Sequence, residues 1–153
     1  MKCVICGEDE ADGKYEEFGI CPICGDILDD IIAFCFKKLQ ESESGNLSEF
    51  FEKEVDWLEE LASWMTGWVM EKNVETARGA DERYFKRLEL VAGWMRSNPD
   101  VLKNICDKYC KCEGCGTELT STTVVVKEEY EWLKVLCKNC STVIAKCFSP
   151  KEF

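Results

Sequence analysis

Four Cys-x-x-Cys pairs constrain this chain more than anything else in it: Cys3/Cys6, Cys21/Cys24, Cys112/Cys115 and Cys137/Cys140. Two residues between paired cysteines let one tight turn aim both sulfurs at a single ion, while backbone N–H groups of the turn donate to the sulfurs. Joined in chain order, the pairs make two sets of four, spaced x2-x14-x2 and x2-x21-x2. Four thiolates fill a tetrahedral shell and leave no corner for water or substrate, which is the arrangement of a fold-stabilising zinc rather than a catalytic one. The expected metal ligands are therefore Cys3, Cys6, Cys21 and Cys24 at one site and Cys112, Cys115, Cys137 and Cys140 at the other. Two structural zinc ions are the expected cofactors, with no catalytic residues. A glycine after the second cysteine helps where the chain must turn with positive φ. Cys6-Gly7, Cys24-Gly25 and Cys115-Gly116 have one, whereas Cys140 is followed by Ser141.

Composition narrows the chemistry further. Histidine is absent, which removes Ser-His-Asp triads, Cys-His dyads and His-Glu-x-x-His metalloproteases. Twelve of the 153 residues are cysteine. The opening lacks the basic, apolar and small-residue succession of a secretory signal, so a cytoplasmic location is expected, and there paired cysteines bind metal more often than they form disulfides. No apolar run approaches the roughly 20 residues that cross a bilayer. Nucleotide-binding glycine loops are missing as well. The abundance of Glu and Lys beside so many cysteines suits a hyperthermophilic archaeon or one of its mobile elements.

The flanking residues sort the two sites. After Cys115-Gly116, the stretch 119–126 is rich in Thr and Val, Lys127-Glu128-Glu129 offers a polar turn, and 130–136 resumes strand-type residues up to Cys137. A third apolar piece covers 142–148. Two knuckles joined by a hairpin, with a strand after them, resemble the zinc-ribbon family over Cys112 to Phe148, and that likeness implies the same four C-terminal ligands. At the other end, Tyr15 to Ile20 suggests a short hairpin arm. Cys24 then leads into Asp26-Ile27-Leu28-Asp29-Asp30-Ile31-Ile32-Ala33-Phe34-Cys35-Phe36-Lys37-Lys38-Leu39, an amphipathic helix with acids early and lysines late. Knuckle, arm, knuckle and helix resemble a treble-clef finger over Cys3 to Leu39, and Cys21-Pro22-Ile23-Cys24-Gly25 is similar to a rubredoxin knuckle, which keeps iron open as the metal. Cys6-Gly7-Glu8 has a faint likeness to zinc deaminases, but the gap to Cys21 is too short for that fold, and Cys3 fills the position water would need.

Residues 40–111 carry no metal pairs and read as helices. Glu41 to Gly45 is a linker, and Asn46 with Glu49 forms a capping box. An apolar pattern from Leu47 predicts a helix to about Asn73. Asp81 caps a second helix through Met95, and Asn98-Pro99 ends it and starts a third. Trp57, Leu61, Trp64 and Trp68 form a stripe that either lies inside a helical bundle or offers a face for a protein partner or a second copy of the chain. Of the leftover cysteines, Cys35, Cys106, Cys110 and Cys147, the pair Cys106/Cys110 lies one turn apart and runs into Cys112 and Cys115. An iron–sulfur cluster or a redox pair there is the alternative to plain buried thiols.

The expected fold is thus α+β: a mainly helical centre (46–111) flanked by a treble-clef-like module (1–40) and a zinc ribbon (112–148). Net charge is −11, but residues 1–60 hold 17 acids against 5 basic residues, while 61–153 are near balance. Two divalent ions in four-thiolate sites would take the total to about −15. Bulk attraction to nucleic acid is therefore not expected. Arg83, Lys86, Arg87, Arg96, Lys103, Lys108 and Lys111, with Lys134, Lys138 and Lys146 in the ribbon, are the local exception. The expected function is a non-enzymatic zinc-binding adaptor that contacts a protein partner, in transcription or its regulation. Nucleic-acid binding through the ribbon and a rubredoxin-like or iron–sulfur redox role are the alternatives. No membrane contact is expected.

Overall fold

Pro22, whose ring fixes φ and whose missing N–H costs nothing in a first helical turn, opens the longest element among the described residues directly inside a cysteine pair. The structure is a computed structural model, and it describes residues 1–42, 45–53, 82–129 and 132–146. Helix α1 spans Pro22–Ser42. Ile27, Leu28, Ile31, Ile32, Ala33, Phe34, Cys35, Phe36 and Leu39 along it are all at most 2% exposed. These positions go all the way round the helix, so it is covered on every side. Each large apolar side chain taken out of water contributes roughly 1.5–3 kcal/mol. The amphipathic pattern expected from the early acids does not hold, since Asp30 itself is fully buried.

The remaining elements form the covering. A 3-10 turn spans Gly13–Phe18. Helix α2 is Leu47–Lys53, helix α3 is Glu82–Ser97 and helix α4 is Pro99–Lys108. Strands β1 (Val124–Glu129), β2 (Trp132–Cys137) and β3 (Val143–Lys146) make an antiparallel sheet in the order β1-β2-β3. Helices with a small sheet make the fold α+β, as expected. Helix α1 touches the 3-10 turn, α2, α3 and all three strands. The helix of the N-terminal cysteine module is therefore the middle of the core, and the C-terminal sheet lies directly against it.

Local chemistry explains most boundaries. The Glu49 N–H donates to Asn46 Oδ1 at 3.0 Å, which caps α2 as the box pattern predicts. Leu88, Val91, Ala92 and Met95 form the buried stripe of α3, and Pro99 starts α4. The continuation of α2 toward Asn73, the cap at Asp81 and the stripe of Trp57, Leu61, Trp64 and Trp68 lie outside the described residues. No helix of the described residues is long and apolar enough to cross a membrane.

Three local expectations are overturned. The arm expected at Tyr15 to Ile20 is a 3-10 turn, because Tyr15 turns inward and is 1% exposed. Its hydroxyl donates to Asp29 Oδ1 at 2.5 Å and lies 2.7 Å from the Tyr109 hydroxyl. The strand expected from Leu119 begins only at Val124. Hydroxyls compete for the backbone before it: the Thr120 N–H donates to Thr123 Oγ1 at 2.7 Å, and the Thr123 hydroxyl donates to Glu118 O at 2.6 Å. Lys127, Glu128 and Glu129, expected as a turn, extend β1 instead, in register with Lys134, Leu133 and Trp132.

Candidate metal centres

Each set of four cysteines converges. The sulfurs of Cys3, Cys6, Cys21 and Cys24 all lie within 4.8 Å of one another, and so do those of Cys112, Cys115, Cys137 and Cys140. None is in a disulfide. The closest approaches run between knuckles: Cys6 to Cys21 at 3.8 Å, Cys112 to Cys140 at 3.5 Å and Cys115 to Cys137 at 3.6 Å. Metal–sulfur bonds of about 2.3 Å in a tetrahedron set sulfurs about 3.8 Å apart, so both groups have the dimensions of a closed four-thiolate shell.

The knuckles are built alike from backbone hydrogen bonds. The residue after each second cysteine donates back to the carbonyl of the first: Gly7 to Cys3 at 2.9 Å, Gly25 to Cys21 at 2.9 Å, Gly116 to Cys112 at 2.8 Å and Ser141 to Cys137 at 2.8 Å. Three knuckles are also closed behind the first cysteine, whose N–H donates to Asp9 O, Thr117 O and Thr142 O respectively at 2.8, 2.8 and 2.9 Å. The short bridges Lys2↔Glu10 and Lys111↔Glu118 continue the first two of these. Gly7 (φ 68°) and Gly116 (φ 76°) take the left-handed turn, and Ser141 takes it without being glycine (φ 63°). Gly25 does not take it, contrary to the expectation from spacing. The Cys21 knuckle runs on into α1, and a Cβ at Gly25 would sit 3.1 Å from Tyr15 Cδ2, so glycine is needed there for space.

Donors aim at the sulfurs in both centres. Ile5 N–H reaches Cys3 Sγ at 3.4 Å, Cys24 N–H reaches Cys21 Sγ at 3.4 Å, and Gly114 N–H reaches Cys112 Sγ at 3.3 Å. Gly114 can approach because it has no side chain, since a Cβ would meet Thr142 Oγ1 at 2.5 Å and Cys140 Sγ at 3.2 Å. Two hydroxyls add to the second centre: Thr117 Oγ1 lies 3.0 Å from Cys115 Sγ, and Thr142 Oγ1 lies 3.0 Å from Cys140 Sγ. Asn139 Nδ2 donates to Cys115 Sγ at 3.6 Å.

Burial separates the centres. In the first, Cys3, Cys21 and Cys24 are buried and Cys6 is half-buried; in the second, Cys112 and Cys137 are buried while Cys115 and Cys140 are exposed. Burial pushes the Cys24 thiol far up, with Cys21, Cys3 and Cys6 adding to it, and burial also raises Cys21. Burial works on Cys3 too, but N–H donors from Cys6, Cys21 and Ile5 outweigh it and bring that thiol down to about 6. At Cys115 the Thr117 hydroxyl, followed by the Thr117 N–H and the Asn139 amide, lowers the thiol to about 6. Each group thus combines a thiol lowered by donated hydrogen bonds with at least one thiol that is raised, and a cation bound among them would favour the thiolate form of all four.

The eight sequence-predicted ligands all fall in these two groups. The leftover cysteines among the described residues, Cys35, Cys106 and Cys110, do not. Cys35 and Cys106 are buried in α1 and α4, and burial raises both thiols, Cys106 to about 12. Cys110 is exposed and its thiol donates to Asp107 O at 3.0 Å; Cys147 lies outside the described residues. Cys106 and Cys110 thus point apart instead of joining Cys112 and Cys115. Glu8, the residue carrying the faint deaminase likeness, accepts from Arg87 Nη2 at 3.0 Å.

Sequence reasoning missed Gly114, Thr117, Asn139 and Thr142 as neighbours of the sulfurs, and Arg87 as the partner of Glu8 and Asp9 behind the first knuckle. A signal existed for the two threonines, in the parallel runs Cys115-Gly116-Thr117 and Cys140-Ser141-Thr142. Compared with known proteins, the chain matches no protein-family model, no curated protein and no solved structure.

Proposed function

We propose that this chain is a non-catalytic zinc protein, an adaptor whose two metal centres hold a scaffold that binds another protein, in transcription or its regulation. The observation that carries the reading is the closure of both sulfur groups, since each already supplies the four donors of a structural site and leaves no position for a reacting molecule. Cys3, Cys6, Cys21 and Cys24 would hold one zinc ion and Cys112, Cys115, Cys137 and Cys140 the other. Bound there, zinc supplies cross-linking of the knuckles, with no redox chemistry of its own. The acidic N-terminal half and the Trp57, Trp64 and Trp68 stripe are the surfaces proposed to meet the partner.

Metal analysis by mass tests the first half of this proposal: two zinc ions per chain in a colourless protein are expected. Visible absorbance that bleaches with dithionite would instead indicate iron and a redox role. Co-purification from a native extract tests the second half, with a stoichiometric protein partner expected and nucleic acid retained only weakly.

Nucleic-acid binding is the second reading. It is supported by a cleft of about 500 Å³ lined by Lys108, Lys111, Glu113 and Thr142 beside the ribbon. Two of the basic residues counted toward it are already engaged, however. Lys108 pairs with Glu17 and stands over the Tyr15 and Phe18 rings, and Arg87 pairs with Glu8 and Asp9. Tight binding whose strength falls steeply with salt would decide for this reading.

A further inference from the structure

Between the two cysteine pairs of the N-terminal group the chain makes the 3-10 turn Gly13–Phe18. Binding of an ion by Cys3, Cys6, Cys21 and Cys24 closes a loop with that turn inside it, and closure removes conformations that the free loop samples. Tyr15, in the turn, is 1% exposed. Its carbonyl accepts from the Ile20 N–H, just before Cys21, at 3.4 Å. Its ring lies against Gly25, just after Cys24, where a Cβ would sit 3.1 Å from Tyr15 Cδ2. The placement of Tyr15 is thus tied to the knuckle on which it leans.

The Tyr15 hydroxyl reaches across the molecule. It donates to Asp29 Oδ1 of α1 at 2.5 Å and lies 2.7 Å from the hydroxyl of Tyr109, 94 positions along the chain. The Tyr109 hydroxyl stands 3.1 Å from the same carboxylate oxygen. Hydrogen bonds to a carboxylate are among the stronger ones. Tyr109 caps the C-terminus of α4, and from there a ladder of bonds runs to the second group. The Leu119 N–H donates to Cys110 O at 2.9 Å, Lys111 bridges Glu118, and the Cys112 N–H donates to Thr117 O at 2.8 Å. Those bonds close the Cys112 knuckle.

We infer that the Tyr15–Asp29–Tyr109 cluster couples the two metal centres, so that filling either one raises the affinity of the other for its ion. This rests on the proposed zinc occupancy. Closure of the first group fixes the turn that carries Tyr15, and closure of the second fixes the knuckle that follows Tyr109. A cluster already held from one side leaves less to be ordered when the other side closes, and such coupling is reciprocal by thermodynamic necessity. The chain then takes up metal as one unit, with singly loaded molecules scarce.

Native mass spectrometry of the full chain in zinc-buffered solution tests this. It is read at the zinc level that fills half of the sites, approached both by loading and by withdrawal. Independent sites of any affinities leave at least about half of the molecules with one ion at that point. The unaltered chain is expected to show fewer. Tyr109→Phe keeps the ring beside Phe36 and leaves the bond from Tyr15 to Asp29 in place, so it cuts the hydroxyl tie to α4 alone. It should weaken the coupling about fivefold or more and raise the singly loaded share. Cys106→Ala, which trims a buried side chain from the same helix, should leave that share unchanged.

A singly loaded share of about half or more in the unaltered chain would overturn the inference. So would an unchanged share in Tyr109→Phe, or an equal rise in Cys106→Ala, which would mean general loosening. Any of these in a chain that binds two zinc ions sinks this inference alone, whereas an unaltered chain that binds no zinc sinks it together with the proposed function.

Discussion

The two cysteine groups share a plan and differ in setting. Both are pairs of knuckles closed by the same backbone bonds, with all four sulfurs of each within 4.8 Å of one another. The first has three buried cysteines, opens into the central helix and has an arginine beside its acids; the second has two exposed cysteines and is dressed by Thr117, Thr142 and Asn139. Identical donor sets therefore do not imply equal roles.

The largest test of that difference removes one ligand from each. Cys24→Ser should cost several kcal/mol and abolish cooperative unfolding in urea, since structural zinc contributes folding energy outright and α1 starts at this knuckle. Cys140→Ser should cost less and loosen the sheet while the signal of α1 persists. Equal losses by circular dichroism would erase the distinction.

Reactivity comes next in size. In metal-loaded protein, the exposed Cys115 and Cys140 should be alkylated at least about tenfold faster than the buried Cys21 and Cys24, because access sets the rate. Mass mapping after a brief pulse reads this directly, and faster labelling of Cys21 would contradict the burial described here.

The pH dependence of the metal-loaded protein sharpens the contrast between knuckle and core thiols. Cys106 is raised from the ordinary thiol value near 9 to about 12 by burial, so its neutral form stabilises the fold fully below about pH 9, and that contribution is lost as pH rises toward 12. The expected slope is at most roughly 1.4 kcal/mol per pH unit. Urea midpoints across this range should fall, and Cys106→Ala should flatten the fall.

Smallest is the backbone comparison. Gly116→Ala places a Cβ in the left-handed region and should cost about 1 kcal/mol. Ser141→Gly, at the matching turn, should gain no more than a few tenths, because strain relief is offset by the greater freedom of glycine when unfolded. Thermal melts of loaded protein would resolve the difference in sign.

What could be read from the sequence was local. The convergence of eight cysteines follows from four Cys-x-x-Cys pairs, and the starts of α2 and α4 follow from Asn46 and Pro99. What escaped depends on partners far along the chain. Tyr15 has a strand-like neighbourhood, but its hydroxyl is claimed by Asp29 and by Tyr109 from α4's end, and this folds its segment into a turn. Asp29 and Asp30 suggest a wet face for α1, whereas the sheet and α3 cover the helix from outside its own segment. Arg87 is separated from Glu8 by 79 positions, so no spacing rule could join them.

A central helix that precedes the strands covering it has a consequence for biosynthesis. Residues of α1 leave the ribosome before the three strands that shelter them. In the interval the apolar side chains of the helix have to remain in solution without their final neighbours, and such surfaces stick to one another. Early capture of an ion at the first knuckles would anchor that nascent helix until the strands close over it.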